Sequence, residues 1–302
     1  MTRIREGGFI SKMNRILVIG AKGMLGRDLM TELQASFPHD ESMGWDIGEM
    51  DIREEEITVS RIEAAHPQIV INVAGYTNVD GCELNEKEAF AANAEGMKNI
   101  ALGAKRCGAK VIYLSTDYIF DGEKGEPYLE EDPPHPINIY GRSKLKGEQY
   151  VRELTGDGLI IRTQWLFGRY GNNFVSAILR QARKKKVLSI VDDQIGCPTY
   201  TPDLSRAISA MIRQNARGIF HVTNEDPCSW YTFGQTILKF SGMEGVKVIP
   251  ISSKELGRPA PRPSYSVLKT EKFKKETGWA LRSWIEALRE FLFRIRERIQ
   301  SI

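Results

Sequence analysis

The sequence contains few of the residues that form covalent cross-links or bind transition metals. Its 302 residues include four cysteines and four histidines, none of them at metal-ligand spacing with another and no two cysteines in a C-x-x-C pair. The cysteines (Cys82, Cys107, Cys197 and Cys228) are far apart in the sequence and suggest no disulfide framework. We therefore expect no metal at the site and reduced thiols, as in a cytoplasmic protein.

Long hydrophobic runs and a strong excess of one charge are also absent. No apolar stretch approaches the ~18 residues that span a bilayer, so no membrane segment is expected. The formal net charge is +3, and the one dense basic run, Arg183 to Lys186, is best explained as a helix C-terminus, so no nucleic-acid partner is expected. The first dozen residues are too polar for a signal peptide. We expect residues 1–13 to be a disordered extension and the protein to be cytoplasmic.

Strand and helix patterns alternate along the first half of the chain. The stretch from His39 to Asp51 is poorly patterned and is expected to hold a second strand and a short third one, and one long helix is expected from Glu86 to Cys107. This alternation predicts an α/β fold with a doubly wound parallel sheet. Apolar strands are expected at Arg15–Ile19, Gln68–Ala74, Lys110–Thr116 and Gly158–Thr163.

A glycine-rich turn follows the first strand. Gly20, Gly23 and Gly26 lie between that strand and an amphipathic helix that begins at Met24. Such glycines permit a tight turn, let the backbone approach a pyrophosphate and let helix and strand pack closely, and the phosphates bind at the helix N-terminus. The pattern predicts a Rossmann-like dinucleotide-binding domain over residues 14–165. Residues 166–302 are expected to form mainly a smaller C-terminal α/β substrate-binding region, with residues of about 200–224 returning to the first domain.

Three further residues suit proton transfer to a carbonyl oxygen. Tyr140 and Lys144 are four apart on a predicted helix and therefore share one of its faces. Thr116 ends an apolar strand and can be brought beside them. An ammonium close to a phenol stabilises the phenolate and lowers a pKa that starts near ~10. We expect these three to be the catalytic residues.

Eight motifs occur in an order that resembles one enzyme family. Together they resemble the dTDP-4-dehydrorhamnose reductases, members of the extended short-chain dehydrogenase/reductases, from Asn14 to about Glu290. The motifs are Gly20-x-x-Gly23-x-x-Gly26, Asn72–Asp80, Ser115–Gly122, Tyr140–Lys144, Arg162–Trp165, Gly171–Phe174, Asp193–Thr199 and Arg262-Pro263.

This resemblance implies a reaction and a set of site residues. NADPH or NADH would reduce the C4 ketone of dTDP-4-dehydro-L-rhamnose to give dTDP-L-rhamnose, in sugar-nucleotide biosynthesis. Tyr140 would protonate the alkoxide, Lys144 would bind the nicotinamide ribose and lower the pKa of Tyr140, and Thr116 would hydrogen-bond the ketone. The implied cofactor contacts, besides Gly20, Gly26, Tyr140 and Lys144, are Gly23, Met24, Leu25, Asp51, Ile52, Gly75, Tyr76 and Thr77. The implied substrate contacts are Thr116, Asp117, Tyr140, Trp165 and Trp230.

Cofactor preference and oligomeric state stay open at this point. An acid at the end of the second strand, for which Asp46 is our candidate, favours NADH, whereas Lys22 favours NADPH. Some relatives are dimers that hold a metal ion with carboxylates at the interface. The resemblance therefore raises a homodimer with Mg²⁺ as an expectation, although it assigns no ligands.

Departures from the family pattern leave alternatives. Ser264-Tyr265 follows Arg262-Pro263 where an Asn is usual, Gly75 replaces the commoner Ala, and Gln164 stands where Ser is usual. A dehydratase is disfavoured, because Thr116 is followed by Asp-Tyr rather than Asp-Glu. Another NDP-keto-sugar reductase, an epimerase, and a non-catalytic subunit resembling the methionine adenosyltransferase beta subunit remain. The sugar and the nucleotide base are not set by the sequence.

Overall fold

The computed structural model describes residues 13–300, with side chains described through residue 295. Apart from Met13, the predicted disordered extension lies outside the described residues.

Parallel strands form the centre of the molecule. The described strands are β1 (Arg15–Ile19), β2 (Glu41–Trp45), β3 (Ile69–Asn72), β4 (Lys110–Thr116), β5 (Leu159–Thr163), β6 (Leu166–Phe167), β7 (Val187–Val191), β8 (Ile195–Gly196), β9 (Thr199–Tyr200), β10 (Gly218–His221), β11 (Cys228–Ser229) and β12 (Lys247–Ile251). Six of them form a parallel sheet in the order β10-β5-β4-β3-β1-β2. The carboxyl ends of β1, β3 and β4 therefore meet at one edge, where ligands bind in open α/β sheets.

Helices connect and cover these strands. They are α1 (Met24–Ser36), α2 (Glu55–Ala65), α3 (Val79–Leu84), α4 (Glu86–Phe90), α5 (Gly96–Cys107), α6 (Ile139–Thr155), α7 (Phe174–Ala182), α8 (Thr201–Arg213), α9 (Trp230–Phe240), α10 (Ser253–Leu256), α11 (Glu271–Thr277) and α12 (Trp284–Gln300). A π-helical segment (Ala91–Glu95) separates α4 from α5, and a 3₁₀ turn (Asp117–Ile119) follows β4.

The apolar strands are buried on both faces, as the doubly wound fold requires. In β1, Ile16 and Val18 pack in a core with residues of α1 and α8, whereas Leu17 and Ile19 pack in a second core with residues of α2 and α5. The residues of β4 and β5 divide between the same two cores. The predicted α/β architecture with a parallel sheet is confirmed.

A third core belongs to the second half of the chain. Phe167, Phe233 and Phe291 pack together there with residues of α7, α9 and α12. Strands β7 and β12 pair in parallel beside it, and β10 joins the edge of the six-stranded sheet next to β5. The exact division of the chain into two domains at residue 165 stays a prediction.

Two expectations about local structure are wrong. The stretch from His39 to Asp51 holds β2 but no third strand, because the carbonyl oxygen of Asp46 accepts the N–H groups of both Glu49 and Met50 (2.9 Å each) and turns the chain. The helix expected from Glu86 to Cys107 is interrupted by the π-helical segment. Helix α3 was not expected at all, since its six residues carry no helical pattern.

A buried ion pair joins helix α6 to the sheet. Glu148 of α6 and Arg162 of β5 are each 2% exposed, and the guanidinium donates to both carboxylate oxygens (2.8 and 3.0 Å). Ser115 of β4 donates to the same carboxylate at 2.5 Å. Arg162 also lies 3.5 Å from the ring of His221, a buried histidine whose pKa is lowered to about 3 by burial and by Arg162. The His221 Nδ1 atom lies 3.1 Å from the carbonyl oxygen of Tyr128, so His221 is a hydrogen-bonded core residue.

We expect Glu148→Gln to destabilise the fold by about 3–5 kcal/mol, because it leaves the buried Arg162 cation uncompensated. Urea-induced unfolding at neutral pH measures this loss. The matched control is Glu63→Gln, which removes a carboxylate from an exposed pair with Arg106. A loss no larger than that of the control would contradict the assigned role of the buried pair.

Candidate active site

The glycine turn is shaped as a phosphate-binding site. Gly20 has φ +90°, a conformation that favours glycine, and a Cβ there would lie 2.7 Å from the backbone N of Ala74. A Cβ on Gly26 would overlap the carbonyl oxygen of Gly20. Gly23 precedes the first residue of α1, and within the described chain no side chain caps this helix end. The free N–H groups of the first turn are therefore available to an anion.

A cavity of about 670 Å³ opens beside this turn. It is lined by seven of the predicted cofactor residues, namely Gly20, Gly23, Asp46, Asp51, Ile52, Gly75 and Tyr76. The other predicted contacts lie elsewhere. Leu25 is buried in the core beneath the sheet, Gly26 packs on Gly20, and Thr77 lines a second cavity. The Met24 sulfur lies 3.6 Å from the Asn173 side-chain nitrogen. The volume, the glycine turn and the free helix N-terminus fit a dinucleotide.

Acidic residues and paired cations line the end of this cavity away from β4. Arg53 binds Asp51 at 2.6 Å and Glu88 at 2.8 Å, and hydrogen bonds from Arg53 lower the pKa of Asp51. Lys22 lies 2.5 Å from Glu49, outside the ring of lining residues. The carboxylate of Asp46 accepts the backbone N–H groups of Lys22 and Ile47 (3.0 and 2.9 Å). Both cations are thus already neutralised by carboxylates.

Asn93 fixes the loop between the two halves of the site. Its side chain accepts the N–H of Tyr76 (2.8 Å) and donates to the carbonyl oxygen of Tyr76 (3.1 Å) and to the Ser143 hydroxyl (3.0 Å). Asn93 is 2% exposed and lies in the π-helical segment, a feature that often marks functional positions. Sequence reasoning missed this residue, because its partners Tyr76 and Ser143 lie 17 and 50 residues away in the sequence.

The predicted catalytic residues are brought together where β4 meets α6. Thr116 ends β4, and its hydroxyl accepts the N–H of Tyr118 (3.2 Å). Tyr140 is the second residue of α6, whose first turn is capped by the side chain of Asn138. A Cβ on Gly141 would overlap the carbonyl oxygen of Tyr118, so only glycine permits this close approach. Burial raises the pKa of Tyr140, and a hydrogen bond with the Thr116 hydroxyl opposes this shift only in part.

Lys144 is held differently from the expectation. Its ammonium donates to the carbonyl oxygen of Leu114 at 2.5 Å and lies 4.1 Å from the ring centre of Tyr113, and the residue is 5% exposed. Burial lowers the pKa of Lys144 to about 7, against an opposing effect of Glu148. Burial raises the pKa of Tyr140 above its usual range. The expected depression of the Tyr140 pKa is therefore wrong for the protein without ligands, in which burial is the largest effect on the phenol.

Asp117 lies directly behind Thr116. It is 2% exposed, and its oxygens accept the Ser266 hydroxyl at 2.5 Å and the Thr116 hydroxyl at 3.0 Å. Burial raises the pKa of Asp117 to about 7, although these hydrogen bonds oppose the shift. Asp117 therefore orients the Thr116 hydroxyl and links β4 to the segment after Arg262-Pro263.

The two predicted substrate tryptophans form a stacked pair. The ring centres of Trp165 and Trp230 are 3.6 Å apart with planes at 11°, and Trp165 has φ +49°, which is uncommon for a bulky residue. The Trp230 indole N–H donates to the Gln194 side chain at 3.2 Å. Trp230, Gln194, Thr77 and Tyr118 line the second cavity, of about 610 Å³. The rings of Tyr118 and Tyr140 also pack edge to face, with their centres 5.9 Å apart, which places this cavity beside the catalytic residues.

Three further findings concern the described part of the chain. In this part of the chain, no helix combines the length and the apolar character needed to cross a bilayer. Among residues 13–295, whose side chains are described, no group of three or more His, Cys, Asp or Glu lies together as metal ligands would. The four cysteines are unpaired. An interfacial Mg²⁺, a homodimer and a cytoplasmic location stay predictions.

The fold and this arrangement of residues match known proteins. The family model described as the RmlD substrate binding domain matches residues 13–297. The chain belongs to the RmlD family. It is 41% identical to the spore coat polysaccharide biosynthesis protein SpsK of Bacillus subtilis over 281 residues, covering 93% of this chain and 97% of SpsK. It is 35% identical to a dTDP-4-dehydrorhamnose reductase of Aggregatibacter actinomycetemcomitans, covering 92% of this chain and 98% of that protein.

A solved structure agrees with these sequence matches. The crystal structure of dTDP-4-dehydrorhamnose reductase from Bacillus anthracis in complex with NADP superimposes with a TM-score of 0.90 at 38% identity. The match covers 94% of this chain and 100% of that one.

The departures from the usual RmlD family pattern have structural explanations. Gln164 accepts the N–H of Cys197 (3.0 Å) and donates to the carbonyl oxygen of Ser266 (3.2 Å), so it ties β8 to the segment after Arg262-Pro263. The Ser264 hydroxyl donates to the carbonyl oxygen of Gly122 at 3.0 Å. A Cβ on Gly75 would lie 2.6 Å from the Asn93 side-chain oxygen, which explains glycine at this position. Arg262 belongs to the Arg262-Pro263 motif but was not among the predicted site residues. In the structure it lines the second cavity.

Proposed function

We propose that this protein reduces the C4 ketone of dTDP-4-dehydro-L-rhamnose with NAD(P)H to give dTDP-L-rhamnose. The observation that carries the proposal is the convergence of Thr116, Tyr140 and the second cavity at the end of β4, next to a glycine turn that fits a dinucleotide. Membership of the RmlD family, whose relatives include proteins named dTDP-4-dehydrorhamnose reductase, supports the same reaction. The reaction belongs to sugar-nucleotide biosynthesis.

Each catalytic residue has a separate task in this proposal. The glycine turn and the Gly75–Tyr76 loop would hold NAD(P)H, which would supply the hydride. Tyr140 donates its proton to the oxygen of the ketone. The Thr116 hydroxyl turns its proton from Asp117 to that oxygen and holds the oxygen in line. The Lys144 cation binds the nicotinamide ribose and stabilises the phenolate that forms when Tyr140 gives up its proton. To reach the ribose, the ammonium leaves the carbonyl oxygen of Leu114.

The substrate side is formed by the second cavity. We propose that Trp230, which lines this cavity and is stacked on Trp165, offers a flat apolar surface to the nucleotide-sugar, and that Arg258 and Arg262 bind its diphosphate. The arginines neutralise a charge that the reaction does not change. They therefore contribute to binding rather than to the chemical step.

We further propose that NADH is the better cofactor. The cations nearest the adenosine end of the groove, Lys22 and Arg53, are paired with Glu49, Asp51 and Glu88. Asp46 adds a carboxylate at the end of β2, where an acid binds the free 2′-hydroxyl of NADH and repels the 2′-phosphate of NADPH.

The first expected result is oxidation of reduced cofactor by dTDP-4-dehydrorhamnose, with kcat/KM higher for NADH than for NADPH. Absorbance at the reduced-nicotinamide band measures both rates. Asp46→Asn should shift the ratio towards NADPH by about five- to tenfold, as expected for one unit charge near a phosphate. Asp40→Asn, at the far end of β2, is the control. An unchanged ratio in Asp46→Asn would contradict the cofactor assignment. Cofactor binding without any oxidation would contradict the reaction itself.

Tyr140→Phe should lower kcat by a factor of ~10²–10⁴ because it removes the proton donor. Cofactor affinity, measured by fluorescence titration, should stay close to that of the unmodified protein. Tyr150→Phe is the matched control, since it removes a hydroxyl from the same helix where that hydroxyl donates to Glu95. Near-normal turnover in Tyr140→Phe would refute the role of Tyr140.

The pH dependence should report Lys144 rather than Tyr140. Below its pKa of about 7, Lys144 is cationic and can stabilise the phenolate, and above it the amine is neutral. The raised pKa of Tyr140 keeps the phenol protonated throughout the neutral range. We therefore expect kcat/KM for reduction, which reports the free enzyme, to fall as the pH rises through about 7. A profile that stays level until the pH approaches ~10 would contradict this expectation, because Lys144 would then keep the ordinary pKa of a lysine.

A further inference from the structure

Two arginines face the second cavity. Arg258 and Arg262 line it beside Thr77 and Tyr118, and among the described residues that line it these two are the charged ones. A guanidinium binds phosphate oxygens through two parallel hydrogen bonds. The cavity therefore presents two such groups to an anionic ligand.

The same carboxylate holds both arginines. Arg258 Nη1 lies 2.8 Å from Asp80 Oδ2, and Arg262 Nη1 lies 2.5 Å from Asp80 Oδ1. The backbone N–H of Ala260 also donates to Asp80 Oδ1, at 3.3 Å. Burial raises the pKa of Asp80, but hydrogen bonds from Arg262 and Arg258 outweigh it and hold the pKa at about 2. Asp80 is thus ionised at neutral pH and occupies hydrogen-bonding groups that face the cavity.

The backbone that carries the arginines is anchored on both sides of Arg262. The Asn138 side chain donates to the carbonyl oxygen of Pro261 at 2.9 Å, and the Ser264 hydroxyl donates to the carbonyl oxygen of Gly122 at 3.0 Å. The Arg258 side chain is 54% exposed and that of Arg262 12%. A change of partner therefore requires rotation of two long side chains and no movement of the anchored backbone.

We propose that Asp80 is a specificity-determining residue that competes with the substrate diphosphate for Arg258 and Arg262. This inference rests on the proposed function, because it takes a nucleoside diphosphate sugar as the ligand. The carboxylate offers one negative charge to two cations, whereas a diphosphate offers two charges and more acceptor oxygens. Inorganic phosphate has fewer charges and acceptor oxygens with which to replace the contacts of Asp80 to the two arginines. The competition therefore lowers the affinity for every anion, but it lowers the affinity for a diphosphate less than that for phosphate.

The test compares Asp80→Asn with the unmodified protein by calorimetric titration of dTDP, at one fixed ionic strength because salt screens such pairs. We expect Asp80→Asn to bind dTDP about three- to tenfold more tightly, the range typical of a partly exposed charge pair. Inorganic phosphate, titrated in parallel, should gain at least as large a factor. The control, Glu63→Gln, removes a carboxylate from an exposed ion pair outside both cavities and should leave dTDP affinity unchanged.

A second variant shows whether the gain depends on the arginines. In Asp80→Asn combined with Arg262→Gln, the increase in dTDP affinity should disappear. Unchanged or weaker dTDP binding by Asp80→Asn overturns the proposal and makes Asp80 a residue that orients the arginines. A gain that persists in the double variant also overturns it.

The outcomes separate this proposal from the reductase function, because dTDP binding involves no chemistry. If Asp80→Asn behaves as expected but the unmodified protein does not reduce the keto-sugar, the reductase function fails and the role of Asp80 stands. If neither protein binds dTDP, both proposals fail.

Discussion

The attachment of helix α6 to strands β4 and β5 is the constraint on which the rest of the site depends. Glu148 accepts hydrogen bonds from Ser115 and Arg162, and Lys144, one turn earlier on the same face, donates to Leu114. These contacts fix both the rotation of the helix and its position along the strands. Tyr140, a further turn towards the N-terminus, is therefore held at the end of β4 beside Thr116. The close packing of Gly141 against the carbonyl oxygen of Tyr118 also maintains this placement, since a larger residue would push the first turn of α6 away from the segment after β4.

Burial is what adapts these residues to reduction. A reductase needs a phenol that still carries its proton when the ketone arrives, and desolvation of Tyr140 favours that neutral form. The same desolvation disfavours the Lys144 cation, which Glu148 partly offsets. The ion pair beneath the helix thus has two effects, because it holds the helix on the sheet and keeps a negative charge one turn from the lysine. The sequence pattern Tyr-x-x-x-Lys specifies neither effect.

How much the sequence could predict depends on the range of the interactions. The strands, the glycine turn and the Thr116, Tyr140 and Lys144 set are written in local patterns, and the structure brings them to one edge of the sheet. Helix α3 and the turn after β2 are held by contacts that local patterns do not contain. The Glu83 carboxylate of α3 accepts the N–H of Ile139, and the Asp46 side chain binds the amide of Lys22, 24 residues away. Asn93 was missed for the same reason, since its partners Tyr76 and Ser143 are remote in sequence.

The loop from Gly75 to Thr77 lies between the two cavities and belongs to both. Gly75 and Tyr76 line the dinucleotide cavity, and Thr77 lines the second one. The Asn93 side chain binds both the N–H and the carbonyl oxygen of Tyr76 and also donates to Ser143 of α6. The loop and the catalytic helix are therefore held in a fixed position relative to each other. Hydride transfer requires the reacting carbon atoms of cofactor and substrate to lie in contact. A short loop that is tied to the proton donor and exposed on each side to one ligand meets that requirement with few residues.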